Sequence, residues 1–242
     1  MGRFVFNAVD LSQTFEVVEV VTQAVPTISL DLRQSFAMDG AAIAGKRLEP
    51  LEITITARMA TSTIDERDIQ EAFAVAVAPL VTSEPKPLYL VAGKYRMAIL
   101  TDATTLEFAS YSAKVQLKFL CADPVAYGAT RTVTVPSGGS VSVSVGGTHP
   151  TSPAIRASAV RDSSSLVWGL KLDNQDHLHI ATGSASARAV VADCSKRTLT
   201  VAGATALPTL DSDWLSLSPG THTLANDQGT GAATVTFVER WL

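Results

Sequence analysis

Two histidines separated by one residue have the clearest capacity for chemistry in this sequence. His177 and His179 lie in a short apolar run, and alternate residues of a strand project from the same face. Two imidazoles on one face could chelate Zn²⁺ if a third ligand came from elsewhere, and Asp173 and Asp176 are near in sequence. A solvated strand face explains the pair as well. The sequence therefore predicts no metal site outright and gives these two histidines as the candidates.

An enzyme needs a constellation of reactive side chains, and this chain offers few. All 4 histidines lie in the C-terminal half, and the sequence has no G-x-S-x-G elbow, H-E-x-x-H motif or P-loop. Asp211 and Asp213 stand two apart on a predicted turn, but nothing else supports a glycosidase carboxylate pair. We expect no catalytic activity, no catalytic residue and no cofactor.

Three tryptophans could supply a platform on which a sugar ring stacks. Trp168, Trp214 and Trp241 each fall in an alternating strand pattern. Large aromatic side chains in such patterns commonly fill the core, so core packing is the preferred interpretation and sugar binding the alternative.

The elements that must position these residues are best defined around residues 48–80. Apolar and polar residues alternate over residues 51–59, which predicts a half-buried strand. Thr63 and Glu66 have the spacing of a capping box, and apolar residues then recur at helical spacing. Pro79 lacks an N–H group and disfavours a helical residue before it, so the predicted helix covers about 64–78. Everything else indicates strand and turn.

Two domains are predicted, both mainly β. Residues 1–128 are expected to form a β-sheet or sandwich domain that carries the single helix, with a long excursion of few regular hydrogen bonds at 25–48. In residues 129–242 the strands are shorter, and Gly-containing turns separate them, which is typical of a β-sandwich. Pro136, Gly138 and Gly139 predict a hairpin turn between two of these strands.

Charge and composition exclude several classes of partner. The net charge is −4, and residues 1–128 hold 11 Lys and Arg against 15 Asp and Glu, whereas residues 129–242 hold 8 of each. No basic patch is present, so sequence-specific nucleic-acid binding is not expected. The longest apolar run, residues 72–81, is too short for a membrane span, which needs roughly 20 residues. Polar residues interrupt any signal-peptide core, and the two cysteines, Cys121 and Cys194, are predicted to be buried free thiols.

Several segments together resemble one family, the distal tail proteins of long-tailed, non-contractile bacteriophages and their prophages. The resemblance covers nearly the whole chain, and its most specific segment is Phe119-Leu120-Cys121-Ala122-Asp123-Pro124-Val125-Ala126-Tyr127-Gly128. Further matches are Phe6 to Leu11, Asp39-Gly40-Ala41, Gly147-Thr148, Asp213 to Gly220 and the final Val238 to Leu242. The family often has Asn where this chain has His222.

This resemblance implies a structural protein of the virion. It implies that the N-terminal domain assembles into a hexameric ring at the tail tip, and that the C-terminal domain is a sandwich similar to galectins or carbohydrate-binding modules. The ring would join the tail tube protein to the tail-associated protein. A receptor-binding protein or a host glycan is expected as a further partner, and synthesis is expected in the bacterial cytoplasm.

A ring needs apolar contact surfaces, and the 25–48 segment offers candidates. Phe36, Met38 and Ile43 are too apolar for a solvated loop, so we predict them at the oligomer interface. The alternative function is a free-standing carbohydrate-binding β-sandwich protein. The N-terminal half separates the two, because a lectin has no use for such a domain.

Overall fold

Alternating apolar residues build most of the chain into antiparallel strands. The computed structural model describes residues 4–34, 39–60, 65–109, 111–160, 166–183 and 187–242, and within these ranges it is mainly β with a single α-helix. The predicted fold class is confirmed. The chain divides into two units, Met1–Ala126 together with Leu242, and Tyr127–Trp241. Each has its own hydrophobic core.

The N-terminal unit contains two linked antiparallel sheets. The long strand β8 pairs with β7 over residues 94–98 and with β9 over residues 99–109, so it belongs to both. One sheet has the order β8-β7-β1-β2 and the other β3-β6-β9-β8. The strands are β1 (Val5–Phe6), β2 (Val9–Asp10), β3 (Phe15–Thr22), β4 (Ile28–Arg33), β5 (Ala42–Leu48), β6 (Leu51–Ala60), β7 (Lys86–Val91), β8 (Lys94–Ala109) and β9 (Ser112–Cys121).

The strand and helix at the centre of this unit follow the predicted periods. In β6 the apolar residues alternate toward the core, although Thr56, predicted to face solvent, is buried. The helix α1 spans Glu66–Val77, and a 3₁₀ turn, Ala78–Leu80, includes Pro79. The predicted capping box is wrong, because the N-cap is Asp65, whose side chain accepts a hydrogen bond from the Arg67 N–H at 2.8 Å. Thr63 lies outside the described residues.

Aromatic rings join the helix to the sheets. Phe73 of α1 lies edge-on to Phe15 of β3, with ring centroids 6.4 Å apart. Phe15 contacts Phe4 at 6.2 Å, and Phe4 contacts Phe119 of β9 at 6.3 Å. This chain of ring contacts fixes the buried face of α1, because aromatic pairs at these distances add to the area that they bury.

The segment between β3 and β6 differs from the predicted excursion. It contains β4 and β5, which form an antiparallel hairpin with six pairs in register, from Ile28 opposite Leu48 to Arg33 opposite Ala42. The register shifts once, after Asp31, so Ala44 has no residue opposite it. The expectation of few regular hydrogen bonds was wrong because this bulge interrupts the period of the second strand.

The C-terminal unit consists of two sheets around one core. Their orders are β17-β16-β15-β12-β19-β10 and β11-β18-β13-β14. The core contains residues from both sheets, among them Ile155, Trp168, Leu170, Val190 and Phe237. The strands are β10 (Ala126–Val135), β11 (Ser140–Val145), β12 (Ala154–Val160), β13 (Val167–Leu172), β14 (Asp176–Ala181), β15 (Arg188–Asp193), β16 (Thr198–Val201), β17 (Ala204–Ala206), β18 (Gly220–Gln228) and β19 (Ala233–Trp241).

Two details of this unit depart from the sequence prediction. The turn at Pro136, where the Gly139 N–H donates to the Pro136 carbonyl at 3.1 Å, does not close a hairpin. It carries the chain from β10 in one sheet to β11 in the other. Gly128, where the sequence predicts the end of the first domain, lies two residues beyond Ala126, after which the two units divide, and within strand β10.

The two cysteines are buried free thiols, as predicted. Cys121 ends β9, and Cys194 follows β15 directly. Burial raises the pKa of each thiol to about 11, so both remain protonated at neutral pH.

Candidate functional site

The β4–β5 hairpin presents an apolar surface to solvent. Ile28, Leu30 and Leu32 alternate along β4 and are all exposed, and Ile43 of β5 is 65% exposed. Among the described strands, β4 and β5 pair only with each other. An isolated two-stranded hairpin is at best marginally stable in water, so this surface is suited to contact with another body.

Strand β3 presents a second apolar surface. It pairs with β6 on one side, and among the described strands it has no partner on the other. Val18 is 60% exposed and Val21 54% exposed. An edge strand with unpaired N–H and C=O groups and apolar side chains is a template for association.

The predicted interface residues are only partly within the described structure. Ile43 is on the exposed hairpin and is paired with Leu32. Phe36 and Met38 lie outside the described residues. The sequence did not single out Leu32, although Ile28, Leu30 and Leu32 have the period of two that marks one face of a strand.

The structure brings the two candidate histidines together with a distant aspartate. His177 and His179 lie on β14 with their rings stacked, 4.6 Å between centroids. Asp211, from the loop after β17, lies beside them. Each of the three residues offers one atom that could bind a metal ion, and these three atoms lie within 4.8 Å of one another. Asp173 instead contacts His222. Asp213 contributes its backbone N–H, which donates to the His177 carbonyl at 2.8 Å.

The tryptophans are not arranged as an exposed platform. Trp168 is fully buried, and its indole N–H donates to the Gly231 carbonyl at 3.4 Å. Trp214 is partly buried and packs against the same core. These two positions match the core-packing interpretation, while Trp241 is half-buried near the end of β19.

Comparison with known proteins adds independent observations. A family model described as the C-terminal domain of the siphovirus-type tail component matches residues 146–241. The distal tail protein of Bacillus phage SPP1 is 28% identical over 251 residues, covering 98% of this chain and 94% of that protein. The chain is thus similar over nearly its whole length to the siphophage distal tail proteins. These relatives are structural phage distal tail proteins, which are not enzymes.

The fold of this chain matches that of a solved structure. The crystal structure of the SPP1 Dit protein, described as a paradigm of hub adsorption apparatus in phages that infect Gram-positive bacteria, covers 100% of both chains. The TM-score is 0.79 and the sequence identity 22%, which shows that the two chains share a fold. Among the described residues, no helix has the length and apolar content that a membrane crossing requires.

Proposed function

We propose that this chain is a distal tail protein, a structural component of a phage virion, and that it forms a hexameric ring at the tail tip. The ring joins the tail tube protein above to the tail-associated protein below, and it is the hub for host-adhesion components such as a receptor-binding protein. A host glycan is a further candidate ligand of the C-terminal unit. The protein is made in the cytoplasm of the bacterial host and is incorporated into the virion of a phage or prophage.

The observation that carries this proposal is the exposed apolar hairpin of β4 and β5. Its apolar side chains are not covered within the described part of the chain, and exposed Leu32 and Ile43 face each other across it. Docking on a neighbouring subunit would remove that surface from water. A standard interface buries roughly 1,200–2,000 Å² in total and has an apolar centre, and the hairpin supplies such a centre.

A closed ring needs two different complementary surfaces on each subunit, because its contacts are heterologous. We assign the hairpin to one of them, with Ile43 at its centre and Phe36 and Met38 as further interface residues. The exposed edge of β3, with Val18 and Val21, is the candidate for the other. Both surfaces belong to the N-terminal unit.

The charge of the N-terminal unit fits a channel through which DNA passes. Its excess of carboxylates would keep phosphates from binding to a lumen that they line. Three of its basic residues are paired with carboxylates, since Lys118 lies 3.2 Å from Asp102, Arg47 lies 3.0 Å from Glu49 and Lys86 lies 3.5 Å from Glu84. We therefore propose a lumen lined partly by acidic side chains.

The mass of the purified protein in solution tests the ring directly. Sedimentation velocity and native mass spectrometry are expected to give six times the chain mass of 25.5 kDa, and negative-stain images should show closed rings. A monomer at every concentration would contradict assembly in isolation, and a dimer would indicate a self-complementary contact. Mixing the ring with purified tail tube protein and tail-associated protein should then yield larger complexes.

The alternative is a free-standing carbohydrate-binding protein built on the same sandwich. Such a protein would be monomeric and would bind glycans through exposed aromatic rings. Burial of Trp168 removes one of the three candidate rings. Glycan binding by a monomer, with no ring at any concentration, would favour this alternative.

A further inference from the structure

We propose that His177, His179 and Asp211 bind a divalent transition-metal ion, with Zn²⁺ as the best match, at the edge of β14 in the C-terminal unit. The site is separate from the assembly surfaces on the N-terminal unit. It would hold the ion with three protein ligands and leave one position open to solvent or to a partner's oxygen atom.

The three ligand atoms already converge. His179 Nδ1 lies 3.3 Å from Asp211 Oδ2, and His177 Nε2 lies 4.0 Å from the same oxygen. A tetrahedral ion with ligands at about 2.0–2.1 Å separates them by roughly 3.3–3.5 Å. The pair formed by His179 and Asp211 matches this spacing, and a small rotation of the more exposed His177 ring would complete it.

Each imidazole has a hydrogen-bond acceptor for the ring nitrogen that faces away from the proposed metal ion. His177 Nδ1 lies 3.1 Å from the Gln175 carbonyl oxygen, which only accepts, so Nδ1–H donates and Nε2 carries the lone pair. His179 Nε2 lies 3.0 Å from Asp227 Oδ2 and Nδ1 lies 3.3 Å from Asp211 Oδ2, so a tautomer that donates Nε2–H to Asp227 leaves the lone pair of Nδ1 for a metal ion beside Asp211. Metal-binding histidines characteristically donate their second N–H to a carboxylate or a carbonyl.

With these tautomers, the lone pairs of His177 Nε2 and His179 Nδ1 lie close to the Asp211 carboxylate. The arrangement is repulsive unless a proton or a metal ion lies between them.

The loop that carries Asp211 is fixed to β14 rather than loosely placed. The Thr209 N–H donates to the His179 carbonyl at 2.9 Å, and the Ser212 hydroxyl accepts from the His179 N–H at 2.8 Å. These bonds hold the carboxylate beside the histidines. They also satisfy the backbone of β14 on the side away from β13.

Gly169 provides the space in which the His179 ring lies. It is opposite His179 in the register of β13 and β14. A Cβ atom at Gly169 would lie 2.3 Å from His179 Cδ2 and 3.1 Å from Asp227 Oδ1. A side chain there would displace both the ligand and the carboxylate that orients it, so the glycine preserves the geometry of the site.

The ligand set selects the class of metal. Two imidazoles and one carboxylate suit zinc, nickel and copper, whereas Ca²⁺ and Mg²⁺ prefer oxygen ligands alone. Zinc has no preference for a particular geometry and accepts three protein ligands with an open fourth position. The exposed side of Asp211 leaves that position accessible.

Calorimetric titration of the metal-stripped full chain with ZnCl₂ near neutral pH tests the proposal. One ion per chain with a dissociation constant of about 1 μM or below is expected. His177→Ala and Asp211→Asn should each weaken binding by at least about tenfold, and Asp227→Asn should weaken it by about 10–100-fold through the orientation of His179. His149→Ala is the matched control and should leave binding unchanged, and Mg²⁺ should not compete.

Two further measurements keep the result decisive. Circular dichroism checks that each variant is folded, and Asp211→Asn is the most secure because its side chain is largely exposed. Co²⁺ should give the visible absorption of a tetrahedral site in the wild type but not in His177→Ala. Zinc binding only at millimolar concentration, or equal affinity in wild type and Asp211→Asn, would overturn the proposal.

Discussion

Leu32 of β4 lies directly opposite Ile43 of β5, and their side chains are 56% and 65% exposed. The pair follows the register shift that leaves Ala44 unopposed. A bulge of this kind changes the twist of a hairpin and redirects its side chains. Two large apolar side chains therefore face each other on a surface that nothing else in the described chain covers, and they define the centre of the proposed contact.

Replacing this pair by Leu32→Lys and Ile43→Glu is expected to give folded monomers. Opposite charges across the strands preserve the hairpin, while the apolar centre of the contact is lost. Sedimentation velocity compares the assembly of the variant with that of the wild type. The matched control replaces two exposed leucines of the C-terminal unit, Leu207→Lys and Leu210→Glu, and should assemble normally.

The same outcome is expected for Phe36→Asp combined with Met38→Asp. A buried unpaired carboxylate opposes association. If both double variants still form rings, the contact lies on another surface, and the β3 edge becomes the next candidate.

The elements that could be predicted from the sequence are those with one face buried in the core of their own domain. Strand β6 and helix α1 followed from period two and period 3.6, because one face of each is buried. The β4–β5 hairpin was missed because the bulge at Ala44 breaks the period of its second strand. The hairpin predicted at Pro136 failed because local turn chemistry does not determine whether two strands join the same sheet.

The histidine cluster, too, could be predicted only where the local spacing of residues determines their position. His177 and His179 could be placed on one face because a strand has a fixed period of two. Asp227 comes from β18, and its contact with His179 spans 48 positions in sequence. Asp211, on a turn, suggested a glycosidase pair rather than a third ligand. The tertiary fold brings these two carboxylates beside β14, and the local spacing of residues in the sequence does not indicate that contact.

Gly147→Ala is expected to destabilise the C-terminal unit strongly. Gly147 has φ +105°, and a Cβ atom there would lie 2.1 Å from the Arg240 carbonyl oxygen. A strained backbone and a clash with the main chain together should reduce the free energy of unfolding by about 3 kcal/mol or more. Urea unfolding followed by tryptophan fluorescence measures this, since all 3 tryptophans lie in residues 127–242.

Gly138→Ala separates the clash from the backbone strain. Gly138 also has a positive φ, +63°, but no atom lies within 4 Å of a Cβ there. The expected loss is about 1–2 kcal/mol, the cost of a left-handed conformation for a residue with a side chain. Equal losses for the two variants would contradict the assigned role of the Arg240 contact.

His222 and Asp173 should make the stability of the C-terminal unit depend on pH. His222 Nδ1 lies 2.5 Å from Asp173 Oδ2, and His222 Nε2 lies 2.7 Å from the Ser218 carbonyl oxygen. Asp173, then the Ser218 carbonyl, raise the pKa of His222 above 6.5. The hydrogen bond to His222, and then that from the Thr223 N–H, lower the pKa of Asp173 below 3.8.

The two shifts act at opposite ends of the pH range. The contribution of protonated His222 is fully present below pH 6.5 and is lost as pH rises through its raised pKa. The contribution of ionised Asp173 is present above pH 3.8 and is lost as pH falls through its lowered pKa. Stabilisation by the pair is therefore greatest between these two values.

Asp173→Asn should remove this pH dependence with little change of shape. The difference in unfolding free energy from wild type should peak between about pH 4 and pH 6.5, at up to about 1 kcal/mol for an exposed ion pair, and shrink as pH rises through the raised pKa of His222. His222→Asn should behave in the same way. Urea titrations at a series of pH values measure the difference, and a constant difference from pH 5 to about pH 9 would show that charge does not contribute.

A chain that ends at Gly128 is expected to fold and to assemble like the full chain. The N-terminal unit has its own core, and the two proposed contact surfaces, the hairpin and the β3 edge, both belong to it. The C-terminal unit would then be a docking module that assembly does not need. Circular dichroism should show a folded β protein, and sedimentation should give the same number of subunits as in the full chain. Folded monomers would mean that the C-terminal unit contributes to the contact. If the shortened chain does not fold, full-length Gly147→Ala provides the second test, because it weakens only the C-terminal unit and should still form rings.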